Sequence, residues 1–130
     1  GFATLRNICT MNVGLRVRLH TQPPALVADI RRIDELWNEG LSRFGGPFLA
    51  GPEFTVVDAF YCPVAYRVRT YGIDITGKAA QYVQRLLELP AMREWEQASL
   101  AETWREPDHE AEALQVGVVT ADYRVPAAAL

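Results

Sequence analysis

The stretch from Phe48 to Tyr71, FLAGPEFTVVDAFYCPVAYRVRTY, constrains the fold more than any other. A Gly/Pro-rich approach delivers the chain to Thr55. Asp58 follows three residues later, and then a long apolar run. This is a helix start of the capping-box type: the Thr55 side chain can serve the N–H of Asp58, and the Asp58 carboxylate can reach back to the N–H of Thr55. The helix it opens runs from Thr55 to about Tyr71. Its apolar positions (Val56, Val57, Ala59, Phe60, Tyr61, Val64, Ala65, Val68) cover most of the circumference, so a central, buried helix is expected. Pro63 lies inside it and should bend it. Gly72 suits a left-handed C-terminal cap. Loss of the Thr55 or Asp58 side chain should cost about 1 kcal/mol, or somewhat more if buried.

Four further helical segments flank this one. The first spans about Phe2 to Leu19, with Phe2, Leu5, Ile8, Cys9, Val13, Val17 and Leu19 in mostly helical spacing and Gly14 as a weak point. No capping signal precedes Phe2, which suggests a fragment of a longer chain. The second opens at Pro23-Pro24. Its stripe of Leu26, Ile30, Ile33, Trp37, Leu41 and Phe44 is cleanly amphipathic, and Gly45-Gly46-Pro47 stops it. The fourth starts after Thr76-Gly77 and uses Tyr82, Val83, Leu86 and Leu87. The fifth begins at Pro90, uses Met92, Trp95, Leu100 and Trp104, and closes at Pro107. Beyond it, VGVV and YRV favour extended chain. The expected architecture is an all-α bundle of about five helices over residues 1–106. A loosely docked or edge-strand tail over 107–130 follows, with no sheet in the main body.

Composition narrows function. A chain of 130 residues suits one domain. A net charge of -3 argues against nucleic acid as the main partner, which needs a basic face. The basic pairs Arg16/Arg18, Arg31/Arg32 and Arg67/Arg69 are diluted by acids and suit solvated or ion-paired faces. No apolar run reaches the roughly 20 residues that cross a bilayer, and no signal peptide is visible. Cys9 and Cys62 form neither a disulfide framework nor a metal pattern, which fits a reducing cytoplasm. The two histidines, His20 and His109, lack neighbouring ligands, so no metal site is expected.

The segments PFLAGPEFTVVDAFYCPVAYRVRTYG, LPAMREWEQASLAETW and IRRIDELWNEGLSRFGGPFLAG resemble the C-terminal helical domain of bacterial glutathione S-transferases. Together they span roughly Ala28 to Glu106, and Phe2 to Leu19 fits the family's long first C-domain helix. In that family a thioredoxin-like domain binds glutathione and holds the catalytic Ser, Tyr or Cys. The helical domain supplies much of the hydrophobic-substrate pocket and part of a dimer interface. No thioredoxin-like βαβ pattern appears in these residues, so the resemblance assigns no catalytic residue to them.

By the same resemblance, the inward face of the first helix lines the substrate cleft. Its candidates are Phe2, Leu5, Arg6, Cys9, Met11, Asn12 and Arg16, joined by Trp104 at the end of the last helix. The alternative for Phe2, Leu5 and Cys9 is core or dimer packing; for Arg6 and Arg16 it is a surface ion pair. Trp37 and Trp95 lie on apolar stripes and are expected in the core. The implied function is the substrate-site and dimerisation domain of an enzyme that conjugates glutathione to hydrophobic electrophiles, working as a homodimer without nucleic-acid or membrane partners. The competing function is a stand-alone helical module for protein association.

Overall fold

The computed structural model describes residues 1–129; Leu130, the end of the expected tail, lies outside them. The described chain is mostly helical. In chain order it contains α1 (Ala3–Ile8), β1 (Leu15–Leu19), α2 (Pro24–Arg43), α3 (Val56–Tyr71), α4 (Gly77–Glu88), α5 (Pro90–Ala101), α6 (Pro107–Val116) and β2 (Gly117–Asp122). The all-helical body stands, with one small two-stranded sheet beside it.

Helices α2, α3 and α4 enclose the core. Trp37 of α2 is fully buried. Its ring meets Tyr61 of α3 and Tyr82 of α4 edge-on, each with centroids 5.2 Å apart. Such pairs add about 0.5–1.5 kcal/mol beyond the area they bury. Helix α3 continues through Pro63 and ends at Gly72 in the left-handed conformation, φ 57°. It is buried mainly along its C-terminal half: Ala65, Tyr66, Val68, Thr70 and Tyr71 are inside, whereas Val56 and Phe60 are 71% and 78% exposed. The apolar circumference therefore does not translate into a helix buried along its whole length.

The capping box forms in both directions. Its carboxylate half is the tighter, with the Thr55 N–H donating to Asp58 Oδ2 at 2.8 Å. Asp58 does more than cap. It is fully buried, and its Oδ1 accepts from the Leu49 N–H at 3.1 Å and the Tyr82 hydroxyl at 2.8 Å. One carboxylate thus joins the α2–α3 connection, the start of α3 and the middle of α4. Gly40 admits that connection: a Cβ on it would stand 2.9 Å from the Leu49 carbonyl oxygen.

Helix α4 borrows its cap from α2. Asp34 accepts from the Thr76 N–H at 2.7 Å and the Thr76 hydroxyl at 2.8 Å, and Asn38 Oδ1 accepts from the Ala79 N–H at 3.1 Å. Thr76 itself supplies no side-chain cap.

Both ends of the chain depart from the sequence expectation. The helix expected over Phe2–Leu19 stops at Ile8. Asn12 Oδ1 accepts from the N–H groups of Gly14 and Leu15, a turn that competes with helical bonding. The chain then enters β1, whose LRVRL sequence alternates at period two. The residues after Pro107 take the edge-strand alternative, preceded by a helix that the sequence reading lacks. Pro107 occupies the first position of α6, and the Glu106 side chain accepts from the His109 N–H at 2.7 Å. Strand β2 then pairs antiparallel with β1, from Leu15 opposite Asp122 to Leu19 opposite Gly117. Arg16 pairs with Ala121 and Val17 with Val119, so Thr120 is an extra, bulged residue.

Candidate functional site

A cleft of about 230 Å³ lies where the α1–β1 loop, the end of α5, the 102–106 connection and α6 meet. Met11 and Asn12 come from the loop, Trp95 and Ser99 from α5, and Trp104 from the connection. Arg124, just after β2, forms part of its floor. The loop is held from α3. Arg67 Nε donates to the Cys9 carbonyl at 2.8 Å, and its Nη1 lies 3.7 Å from Met11 Sδ. The Thr70 hydroxyl donates to the Asn12 carbonyl. Two rings form the apolar walls. Trp95 stacks edge-on against Tyr66 yet stays 43% exposed, and Trp104 is 66% exposed.

The rim is charged, and its two arginines are engaged within the chain. Arg124 binds both Glu110 oxygens, at 2.6 and 2.9 Å, and also Asp122 Oδ2 at 2.9 Å. These carboxylates, Asp122 first, push the Arg124 guanidinium above its usual range. Hydrogen bonds from Arg124 in turn hold the Asp122 carboxyl below its own. Arg105 donates to the carbonyls of Glu102, Trp104 and Val125. With both arginines engaged and Glu102, Glu106 and Glu110 around the opening, the cleft suits an uncharged aromatic compound better than an anion.

The candidates from the sequence separate into three groups. Met11, Asn12 and Trp104 meet in the cleft. Leu5 and Cys9 are in the core, 1% and 0% exposed, which matches the packing alternative. Phe2, Arg6 and Arg16 stand apart from the cleft. Phe2 precedes α1 in a left-handed conformation (φ 56°), Arg6 is exposed on α1, and Arg16 lies on β1. Trp104 is not on the last turn of α5, as its spacing suggested, because that helix ends at Ala101. Trp95 was expected in the core and instead forms a wall: Met92 is the buried residue of α5, so the helix lies at the edge of the bundle. Arg124 gave no sequence signal, since its partners are fixed only by folding.

Comparison with known families decides where the chain belongs. A family model, glutathione S-transferase, C-terminal domain, matches residues 23–98, more than half of the chain. The chain is a member of that family. No curated protein and no solved structure gives a match. The match covers α2 to α5, the body of this transferase-type domain. Trp95 lies within it, whereas Met11, Asn12, Trp104 and Arg124 lie outside. The cleft therefore forms where the family body meets its flanking segments. Among the described residues no helix is long and apolar enough to cross a membrane, and no cluster of three His, Cys, Asp or Glu side chains is placed to hold a metal.

In the core, burial pushes the Cys9 thiol from 9.0 up to about 11, against a smaller opposing pull from Arg67. Burial also raises Cys62 and the phenols of Tyr71 and Tyr82, the last helped by Asp58. Across this interval the folded domain keeps protons that the unfolded chain releases. The stability these groups contribute is therefore full below about pH 9 and is lost as pH rises toward 11. Denaturant midpoints measured across that range should show the fall, and Cys9→Ala should flatten its first part.

Proposed function

We propose that this chain is the hydrophobic-substrate domain of a glutathione transferase, and that the cleft between Met11, Asn12, Trp95 and Trp104 receives an apolar electrophile. The observation that carries this reading is the pair of accessible indole walls on a cleft whose two arginines already have partners. Burial of aromatic surface against Trp95 and Trp104 would supply the affinity, at about 25 cal/mol per Å². Asn12 and Met11 would shape the inner end. Family membership suggests glutathione as co-substrate. In this reading a thioredoxin-like domain binds it and aims a donor at the thiol, whose free pKa near 8.5 must fall for attack at neutral pH. The helical domain does not activate the thiol; it positions the compound that the thiolate attacks.

Binding of a neutral aromatic such as 1-chloronaphthalene to this chain, followed by tryptophan quenching, tests the assignment. Trp104→Ala should weaken binding about tenfold, the order expected for loss of one aromatic wall. Its melting temperature should barely change, because the ring is mostly exposed. Saturable binding that is equally tight in Trp104→Ala would place the compound elsewhere.

The reading includes a homodimer and a cytoplasmic setting. Val56, Phe60, Phe54 and Phe44 leave apolar surface uncovered around the start of α3 and the end of α2. Exposed apolar patches favour association. Sedimentation of the isolated chain should show concentration-dependent self-association, and a clean monomer over a wide concentration range would contradict this. The same surface is what favours the second reading, a stand-alone association module with this fold. That reading requires a partner protein and no turnover.

A further inference from the structure

A second groove, of about 560 Å³, lies on a different face, between β1 and the C-terminal end of α3. Its charge is unlike that of the chain. Arg16, Arg18, Arg69 and His20 line it, with hydroxyls from Thr21 and Thr120, and no Asp or Glu is among its lining residues. The whole chain carries a net charge of -3.

The strand explains the convergence. On a helix, Arg16 and Arg18 would point about 200° apart; on β1, at positions i and i+2, they share one face. Thr120, the bulged residue of β2, donates its hydroxyl to the Arg16 carbonyl at 3.2 Å and lines the same groove.

Existing partners leave this charge only partly balanced. Arg69 Nη2 lies 2.7 Å from Glu96 as an ion pair without hydrogen-bond alignment, its guanidinium lies over the Tyr66 ring, and its buried Nε has no acceptor among the described residues. Arg16 donates to the carbonyls of Val13 and Leu15 and covers the Tyr123 ring. Neither Arg16 nor Arg18 has a carboxylate within ion-pair distance among the described residues. Arg18 is exposed. The C-terminal end of α3 contributes only about half a negative charge, which three arginines outweigh even with Glu96 counted.

We propose that this groove binds a small, multiply charged anion through Arg16, Arg18 and Arg69, with Thr21 able to add a neutral hydrogen bond. Arginine matches phosphate and carboxylate alike through paired N–H donors. The groove is a local concavity on an acidic molecule, which suits a small ligand rather than an extended polyanion. It is separate from the aromatic cleft and does not depend on the transferase reading.

Calorimetric titration of the whole chain with pyrophosphate and, separately, with citrate tests the proposal. At least one should bind with a Kd below about 10 mM at low salt, and added salt should weaken it. The tighter of the two shows whether the natural ligand presents phosphate or carboxylate groups. Arg18→Gln should weaken binding by about five- to tenfold, the worth of one charge-assisted contact. Its melting temperature should stay unchanged, since the side chain is exposed. Arg16→Lys, which keeps the charge, should retain part of the affinity. Absence of binding by both anions, or binding that Arg18→Gln leaves intact, would overturn the proposal. So would NMR shift changes on addition of anion that fall away from Arg16, Arg18 and Arg69.

Discussion

Asp58→Ala is expected to lower stability by about 3–5 kcal/mol, because several inward-facing donors lose one shared acceptor. An exposed helix cap is worth nearer 1 kcal/mol. The difference comes from partners that sequence spacing does not reveal. Without the carboxylate, the Leu49 N–H, the Thr55 N–H and the Tyr82 hydroxyl lose their acceptor together. Each buried donor left unsatisfied costs about 1–3 kcal/mol. Tyr82→Phe removes a single donor and leaves Asp58 its backbone partners, so it should cost about 1 kcal/mol. Urea denaturation of the two variants and of their double mutant measures the coupling. An Asp58→Ala cost of about 1 kcal/mol or less would mean that the carboxylate serves only as a local cap.

Gly117→Val is the second large expectation, because the site has no room for a side chain. A Cβ there would collide with the Arg18 carbonyl oxygen and stand 2.7 Å from Val17 Cγ1. The backbone at Gly117 is extended, so close approach rather than conformation selects glycine. Overpacking of this kind costs about 1–3 kcal/mol. The loss should concentrate in the β1–β2 ribbon, where Leu19 faces Gly117. Amide exchange should speed up across both strands and leave the α2–α4 core protected. Uniform protection in the variant would show that the ribbon is not paired as described.

The capping box was legible because it is local: Thr55 and Asp58 are three residues apart, and the motif requires no knowledge of the rest of the fold. The same holds for the stripe of α2 and the glycine that ends α3. What the sequence hid was contact across distance. Leu49 and Tyr82 reach Asp58 from 9 and 24 residues away. Asp34 looks like an ordinary polar residue between apolar positions, yet it caps a helix that starts 43 residues later. At the N-terminal end two periods competed. Leu15, Val17 and Leu19 alternate strictly, but Phe2, Leu5, Ile8 and Cys9 set a helical phase that could be extended past Gly14. With β1 read as helix, the extended character of VGVV had no strand to pair with. Pro107 reads as a stop in the sequence, although proline opens a helix as readily as it follows one. The cleft is hidden for the same reason. Met11 and Trp104 fall in helical spacing but lie in connections, and Arg124, which anchors α6 against the end of β2, has no local signature.

We propose above that this domain presents an apolar electrophile to glutathione. The most direct test is steady-state conjugation kinetics on the protein as its source cells make it, with an aryl halide as second substrate. The account predicts glutathione-dependent turnover. In Trp104→Ala the KM for the aryl halide should rise several-fold while the KM for glutathione stays unchanged, since in the proposed binding mode the indole contacts only the apolar substrate. No glutathione-dependent turnover, or a Trp104→Ala enzyme with an unchanged aryl halide KM, would contradict it.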